Sequence, residues 1–190
     1  RDTKPGERLP FVILKKSGHP GKNLLFDDLL KASEQNRLNL LTILSIDDVR
    51  KLNVKVSSAL SWEQSASELV TELNSNEQLR YLAQSRFLVI TFHSAGALFV
   101  VNNGDNNHEY SLVYDPEKME GEDTNGDQGK MIGRMAVFTA ALASQMNIDK
   151  KNKHYKIENA VKAGLTAMRQ LHTEGFGYSG DTLSYPFRQI

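Results

Sequence analysis

The residues whose types and placing could do chemistry stand just after long apolar runs. His93, Ser94 and Gly96 follow the run Phe87-Leu88-Val89-Ile90-Thr91-Phe92, rich in aromatic and β-branched side chains. Such a run suits a strand buried on both faces. In open α/β sheets, ligands lie in the crevice beyond the carboxyl ends of the strands. That placing makes His93 and Ser94 candidate ligand contacts, with a hydrogen-bonded corner histidine as the plain alternative. Asp47, Asp48 and Arg50 follow a second apolar run, Leu38 to Ile46, and are expected to line the same edge. A solvated helix cap accounts for them equally well.

Other motifs fail on spacing. Gly18-His19-Pro20-Gly21-Lys22 and Gly126-Asp127-Gln128-Gly129-Lys130 both read GxxGK. A P-loop needs a longer gap between its glycines and a Ser or Thr after the lysine. Asp123, Asn125 and Asp127 start like a calcium loop, but Gln128 and Arg134 hold the positions of its bend glycine and bidentate glutamate. The histidines His19, His93, His108, His154 and His172 share no metal-ligand spacing. No metal site is expected.

The 190 residues are enough for one domain with a real core. Lys plus Arg and Asp plus Glu number 23 each, so no net field favours nucleic acid or an anionic membrane. The absence of cysteine excludes disulfides, thiolate metal sites and cysteine nucleophiles. No apolar run approaches the roughly 20 residues of a membrane helix. The expectation is a cytoplasmic protein with no membrane and no nucleic-acid partner. A start at Arg1, with neither Met nor a signal-like segment, suggests a processed chain or a domain cut from a longer one.

The elements that must hold the candidate residues follow from periodicity. Residues 1–10 read as a linker or tail, Phe11 to Leu14 as a strand, and Leu24 to Ser33 as a helix. Leu38 to Ile46 is a buried strand. Ser61 and Gln64 have the spacing of a capping box opening a helix whose apolar face carries Trp62, Ala66, Leu69, Val70 and Leu73. A shorter helix covers Asn76 to Gln84, before the strand that ends at Phe92. Ala97 to Val101 and His108 to Tyr114 form a hairpin around Asn102 to Asn107, whose Asn and Gly residues tolerate positive φ. Glu117 to Lys130 is an acidic, Gly-rich loop. Met131 to Met146 is a helix with apolar residues around most of it, and Ile157 to His172 an amphipathic one. Residues 176–190 read as an irregular tail. Helices alternating with strands predict a three-layer α/β domain over residues 11–175, with a largely parallel sheet and flanking helices. Leu38–Ser45 and Arg86–Phe92 are its interior parallel strands.

Taken in order, these segments resemble the carboxyl-terminal half of the ribokinase-like sugar kinase family. Ile90-Thr91-Phe92-His93-Ser94-Ala95-Gly96-Ala97-Leu98 is similar to the family's turn after its central strand. Val137-Phe138-Thr139-Ala140-Ala141-Leu142-Ala143 is similar to its Ala-rich helix, and Asp123-Thr124-Asn125-Gly126 echoes its DTxG lead-in. The family's signature is Gly-Ala-Gly-Asp, an anion hole followed by the catalytic base. Here Gly133-Arg134-Met135-Ala136 stands in that place, and alanine cannot accept a proton.

The resemblance therefore implies a ribokinase-like fold without the family's base. Asp47, Arg50, His93, Ser94, Gly96, Gly133 and Arg134 are the expected ligand contacts. The cofactor is left open, with ATP and magnesium as the candidates that the resemblance offers, and a nucleotide or phosphate-bearing small molecule is the implied partner, with other domains of a longer chain. The function expected is a catalytically degenerate domain that senses a ligand or mediates an interaction. The alternatives are an active ATP-dependent sugar kinase with a diverged phosphate loop, using an acid such as Asp127, and an unrelated α/β domain that packs against a partner.

Overall fold

The structure, a computed structural model, describes residues 9–16, 24–57, 61–93, 95–104, 107–114, 134–152, 157–174 and 187–189. Its strands are β1 (Phe11–Lys15), β2 (Asn39–Ser45), β3 (Phe87–Phe92), β4 (Gly96–Asn102), β5 (His108–Tyr114) and β6 (Phe187–Gln189). Its helices are α1 (Leu24–Glu34), α2 (Ile46–Arg50), α3 (Trp62–Ser75), α4 (Glu77–Ala83), α5 (Arg134–Asn152) and α6 (Ile157–Glu174). The strands hydrogen-bond in chain order, β1-β2-β3-β4-β5-β6.

Strand direction departs in part from the sequence expectation: the hairpin of β4 and β5 is as expected, the largely parallel sheet is not. β1 and β2, joined through α1, are parallel, with Phe11 opposite Asn39 and Lys15 opposite Ile43. β3, β4 and β5 are neighbours joined by turns too short for a crossover, so they run antiparallel. β5 and β6 are antiparallel as well, with Val113 opposite Phe187. The sheet is mixed rather than largely parallel. An unbroken apolar run reports burial on both faces, and β4, buried from Gly96 to Val100, shows that an antiparallel strand can look the same.

The chain forms two compact units, Arg1–Ile90 with Phe99–Tyr110, and Thr91–Leu98 with Ser111–Ile190. The tail over 176–190 is not irregular throughout, because Phe187–Gln189 is a strand.

In the first unit, β2 buries every residue from Leu40 to Leu44. Phe26 and Leu30 of α1 supply further core. The capping box of α3 forms as its spacing predicts: Ser61 Oγ accepts from Gln64 N–H, and Gln64 Oε1 accepts from Ser61 N–H. Ala66, Leu69 and Leu73 are buried on that helix. Trp62 is only half-buried, contrary to its expected place in the core. As the first helical residue, it lies where the stripe is only beginning. Asn76 caps α4, its side chain accepting from Gln78 and Leu79 N–H.

In the second unit, α5 buries Phe138, Leu142 and Met146, one residue every four. Ala136 and Ala140 are exposed, so the helix presents a narrow apolar stripe rather than apolar residues around most of it. Alanine is apolar enough to read as core but small enough to sit on a surface at little cost. α6 is buried on more of its circumference, through Ala160, Val161, Leu165 and Met168 and also Thr166 and Ala167.

Candidate functional site

Asp47 and Arg50 belong to the first unit and lie on the short helix α2. Ser45 at the end of β2 caps it, accepting from Asp48 N–H at 3.1 Å, while the Asp48 carboxylate accepts from Ser45 N–H and Oγ. Arg50 Nη1 lies 3.1 Å from Asp47 Oδ1, an ion pair one turn apart. The two candidates are thus brought together, and they neutralise each other. Their geometry is that of the helix cap that the sequence offers as the plain alternative.

His93 and Gly96 belong to the second unit, at the turn between β3 and β4. The turn closes with Ala95 N–H donating to Phe92 O at 3.1 Å. His93 takes φ 50, a left-handed conformation that is uncommon for a residue with a side chain. Gly96 has a packing reason to be glycine. A Cβ there would come within 2.6 Å of Val113 O and 3.2 Å of Tyr114 Cα. Strand β5 therefore approaches β4 at a point that only hydrogen can fill.

Arg134 opens α5 in the same unit. Its side chain is buried, which the sequence did not signal, since an arginine beside an exposed helix start reads as solvated. One contact fixes this helix start relative to the β3 end. Thr91 Oγ1, on a fully buried residue, donates to Met135 Sδ at 3.3 Å. Periodicity does not report that contact, because it joins residues 44 positions apart. The first turn of α5 carries no acidic residue. Ala136, at the position where the family resemblance places a base, is exposed.

Ser94 and Gly133 lie outside the described residues, as do Asp123 to Lys130 with Asp127, and the Gly18 to Lys22 motif. Among the described residues, no group of three or more His, Cys, Asp or Glu could hold a metal ion. None of the described helices is long and apolar enough to cross a membrane.

No family model matches the chain. No curated protein matches it. Among solved structures it is similar to Anopheles gambiae adenosine kinase in complex with P1,P4-di(adenosine-5) tetraphosphate, with 15% identity and a TM-score of 0.40. That similarity covers 90% of this chain and 52% of the other, so the chain spans about half the length of that protein.

Proposed function

We propose that this chain is a catalytically degenerate ribokinase-like domain that binds a nucleotide or phosphate-bearing small molecule at the start of α5, and serves as a ligand-sensing or interaction module. The observation that carries the reading is the Thr91–Met135 hydrogen bond, which holds the first turn of α5 against the end of β3. A helix start offers unpaired N–H groups and a partial positive charge. The left-handed His93 and the tight Gly96 turn belong to the same end of β3. Arg134 adds a positive charge, and no carboxylate in this turn opposes an anion. The same lack supports degeneracy, because a sugar hydroxyl needs a base to accept its proton. Asp47 and Arg50, already paired with each other, are not needed for this reading.

The test is calorimetric titration with ATP, ADP and inorganic phosphate, with and without magnesium, alongside an assay for phosphoryl transfer to sugars. Binding without transfer is the expected result. Arg134→Glu is a poor probe, since reversing a buried charge disturbs folding. Ala136→Glu is better, because the site is exposed and a carboxylate in the first turn favours the helix by about 0.3–1 kcal/mol. It should raise the unfolding midpoint and weaken anion binding severalfold. Sugar-dependent transfer would establish the active-kinase alternative, and no binding of any of the three ligands would remove the reading.

A further inference from the structure

The tip of the β4–β5 hairpin carries chemistry that the proposed ligand site does not use. It includes Asn103-Gly104, the pairing in which an asparagine side chain is most open to attack by the next main-chain nitrogen, because glycine has no side chain to hinder the approach. Both residues are exposed. Gly104 takes φ 91, with nothing within 4 Å of where a Cβ would stand.

Among the described residues, hydrogen bonds hold this tip on both sides of the turn. Gly104 N–H donates to Asn102 Oδ1 at 2.9 Å, and Asn103 Nδ2 donates to Glu109 Oε1 at 2.7 Å. Asn103 N–H donates to Asn107 O at 2.9 Å, and Asn107 N–H to Gly104 O at 2.8 Å. The first two bear directly on reactivity. One engages the nitrogen that would attack; the other engages the amide that would leave, turned toward Glu109.

We propose that Asn103 is a site of self-deamidation gated by the hairpin, with Asn102 and Glu109 as the gate, and that its conversion loosens the tip of β4–β5. The nitrogen of Gly104 attacks Cγ of Asn103. The N–Cγ bond forms, the Cγ–Nδ2 bond breaks, and the proton of the Gly104 nitrogen leaves with the Nδ2 group as ammonia. Water then opens the cyclic imide at either carbonyl, leaving an aspartyl or isoaspartyl residue at position 103. That product replaces a donor facing Glu109 with a second carboxylate. The 2.7 Å contact then becomes a repulsion, and like charges facing each other across a strand pair are destabilising.

The experiment incubates the folded protein and a synthetic peptide of residues 99–110 at mildly alkaline pH. Peptide mapping by mass spectrometry follows amide-to-acid conversion at position 103 separately from the same dipeptide at Asn125-Gly126. With two hydrogen bonds to open first, conversion in the folded protein should be about tenfold slower than in the peptide. Glu109→Ala and Asn102→Ala should each speed it by roughly threefold or more, and Asn102→Asp, which keeps the Oδ1 acceptor, should not. Equal rates in protein and peptide, or rates untouched by both alanine variants, overturn the gate. In Asn103→Asp, hydrogen exchange at the Asn107 amide should accelerate. Unchanged exchange there overturns the loosening.

Discussion

Gly164 of α6 lies against the ring of Phe138 of α5 so closely that a methyl group on Gly164 would stand 2.6 Å from both Cδ2 and Cε2. In an ordinary helix interior, alanine is favoured over glycine by about 1 kcal/mol. Here the ring is fully buried, so withdrawing it means displacing the side chains packed around it. Overpacking of this kind costs about 1–3 kcal/mol, so the packing term outweighs the propensity term. Gly164→Ala should lower the midpoint of chemical denaturation. Phe138→Leu in the same chain should recover part of the loss, so the double variant is more stable than the sum of the single effects predicts. A raised midpoint in Gly164→Ala would show that the two helices separate freely.

Thr42 of β2 and Ser85 share a hydrogen bond of 2.6 Å, and both residues are buried. Replacing one partner strands the other hydroxyl away from water, at a cost of about 1–3 kcal/mol. Thr42→Val should therefore destabilise by that amount. Adding Ser85→Ala should restore much of it, because two apolar groups leave nothing unsatisfied. Equal stability of the single and double variants, measured by denaturant titration, would show that the hydroxyl pair does not act as a unit.

The positions of the elements were legible because their signals are local. Ser61 and Gln64 announced α3 by spacing alone, and both hydrogen bonds of the box are present. The Asn-Gly cluster at Asn102 to Asn107 announced the turn between β4 and β5. Strand direction was legible only where a turn carries it: the Asn-Gly cluster makes β4 and β5 a hairpin, whereas β2 and β4 are comparably apolar, so apolar character alone does not tell a parallel strand from an antiparallel one. The candidate site was legible in part. His93 was singled out by its place after β3, but its positive φ was not foreseeable from a histidine. The Thr91–Met135 contact depends on how an entire helix docks, which no spacing encodes.

At the β3–β4 turn, backbone strain and close packing can be separated by three variants. A side chain in the left-handed region costs about 1–2 kcal/mol, offset by about 0.5–1 kcal/mol for the extra freedom that glycine loses on folding. His93→Gly should therefore be more stable than His93→Ala by up to about 1 kcal/mol, since both lack the imidazole and differ only at the backbone. Gly96→Ala should destabilise by about 1–3 kcal/mol, because the obstacle to its Cβ is the main-chain oxygen of Val113. Thermal unfolding of the three variants checks both statements. His93→Ala matching His93→Gly would mean that the turn relaxes out of the left-handed region.

Tyr81 of α4 donates its phenolic hydrogen to Asp27 Oδ1 of α1 at 2.5 Å, with the Phe26 ring edge-on at 4.9 Å. Burial, then the hydrogen bond to Asp27, then the Asp27 charge push the phenol from 10.0 up to about 12. All three disfavour the phenolate, so the folded state holds the proton more tightly than the unfolded chain does. The stabilisation is fully present below the unfolded value of 10.0 and is lost as pH rises from there to about 12. Tyr81→Phe keeps the aromatic contact and removes both the hydrogen bond and the titration. Below the unfolded phenol value, the parent protein should be more stable than this variant by about 1 kcal/mol, a partly exposed bond to a carboxylate being worth less than a buried one. That advantage should shrink across the same window and vanish at its top. Denaturation of both proteins over this range cancels the contribution of the other tyrosines. A stability gap that stays constant through the window would mean that the Tyr81–Asp27 bond does not hold the phenol proton.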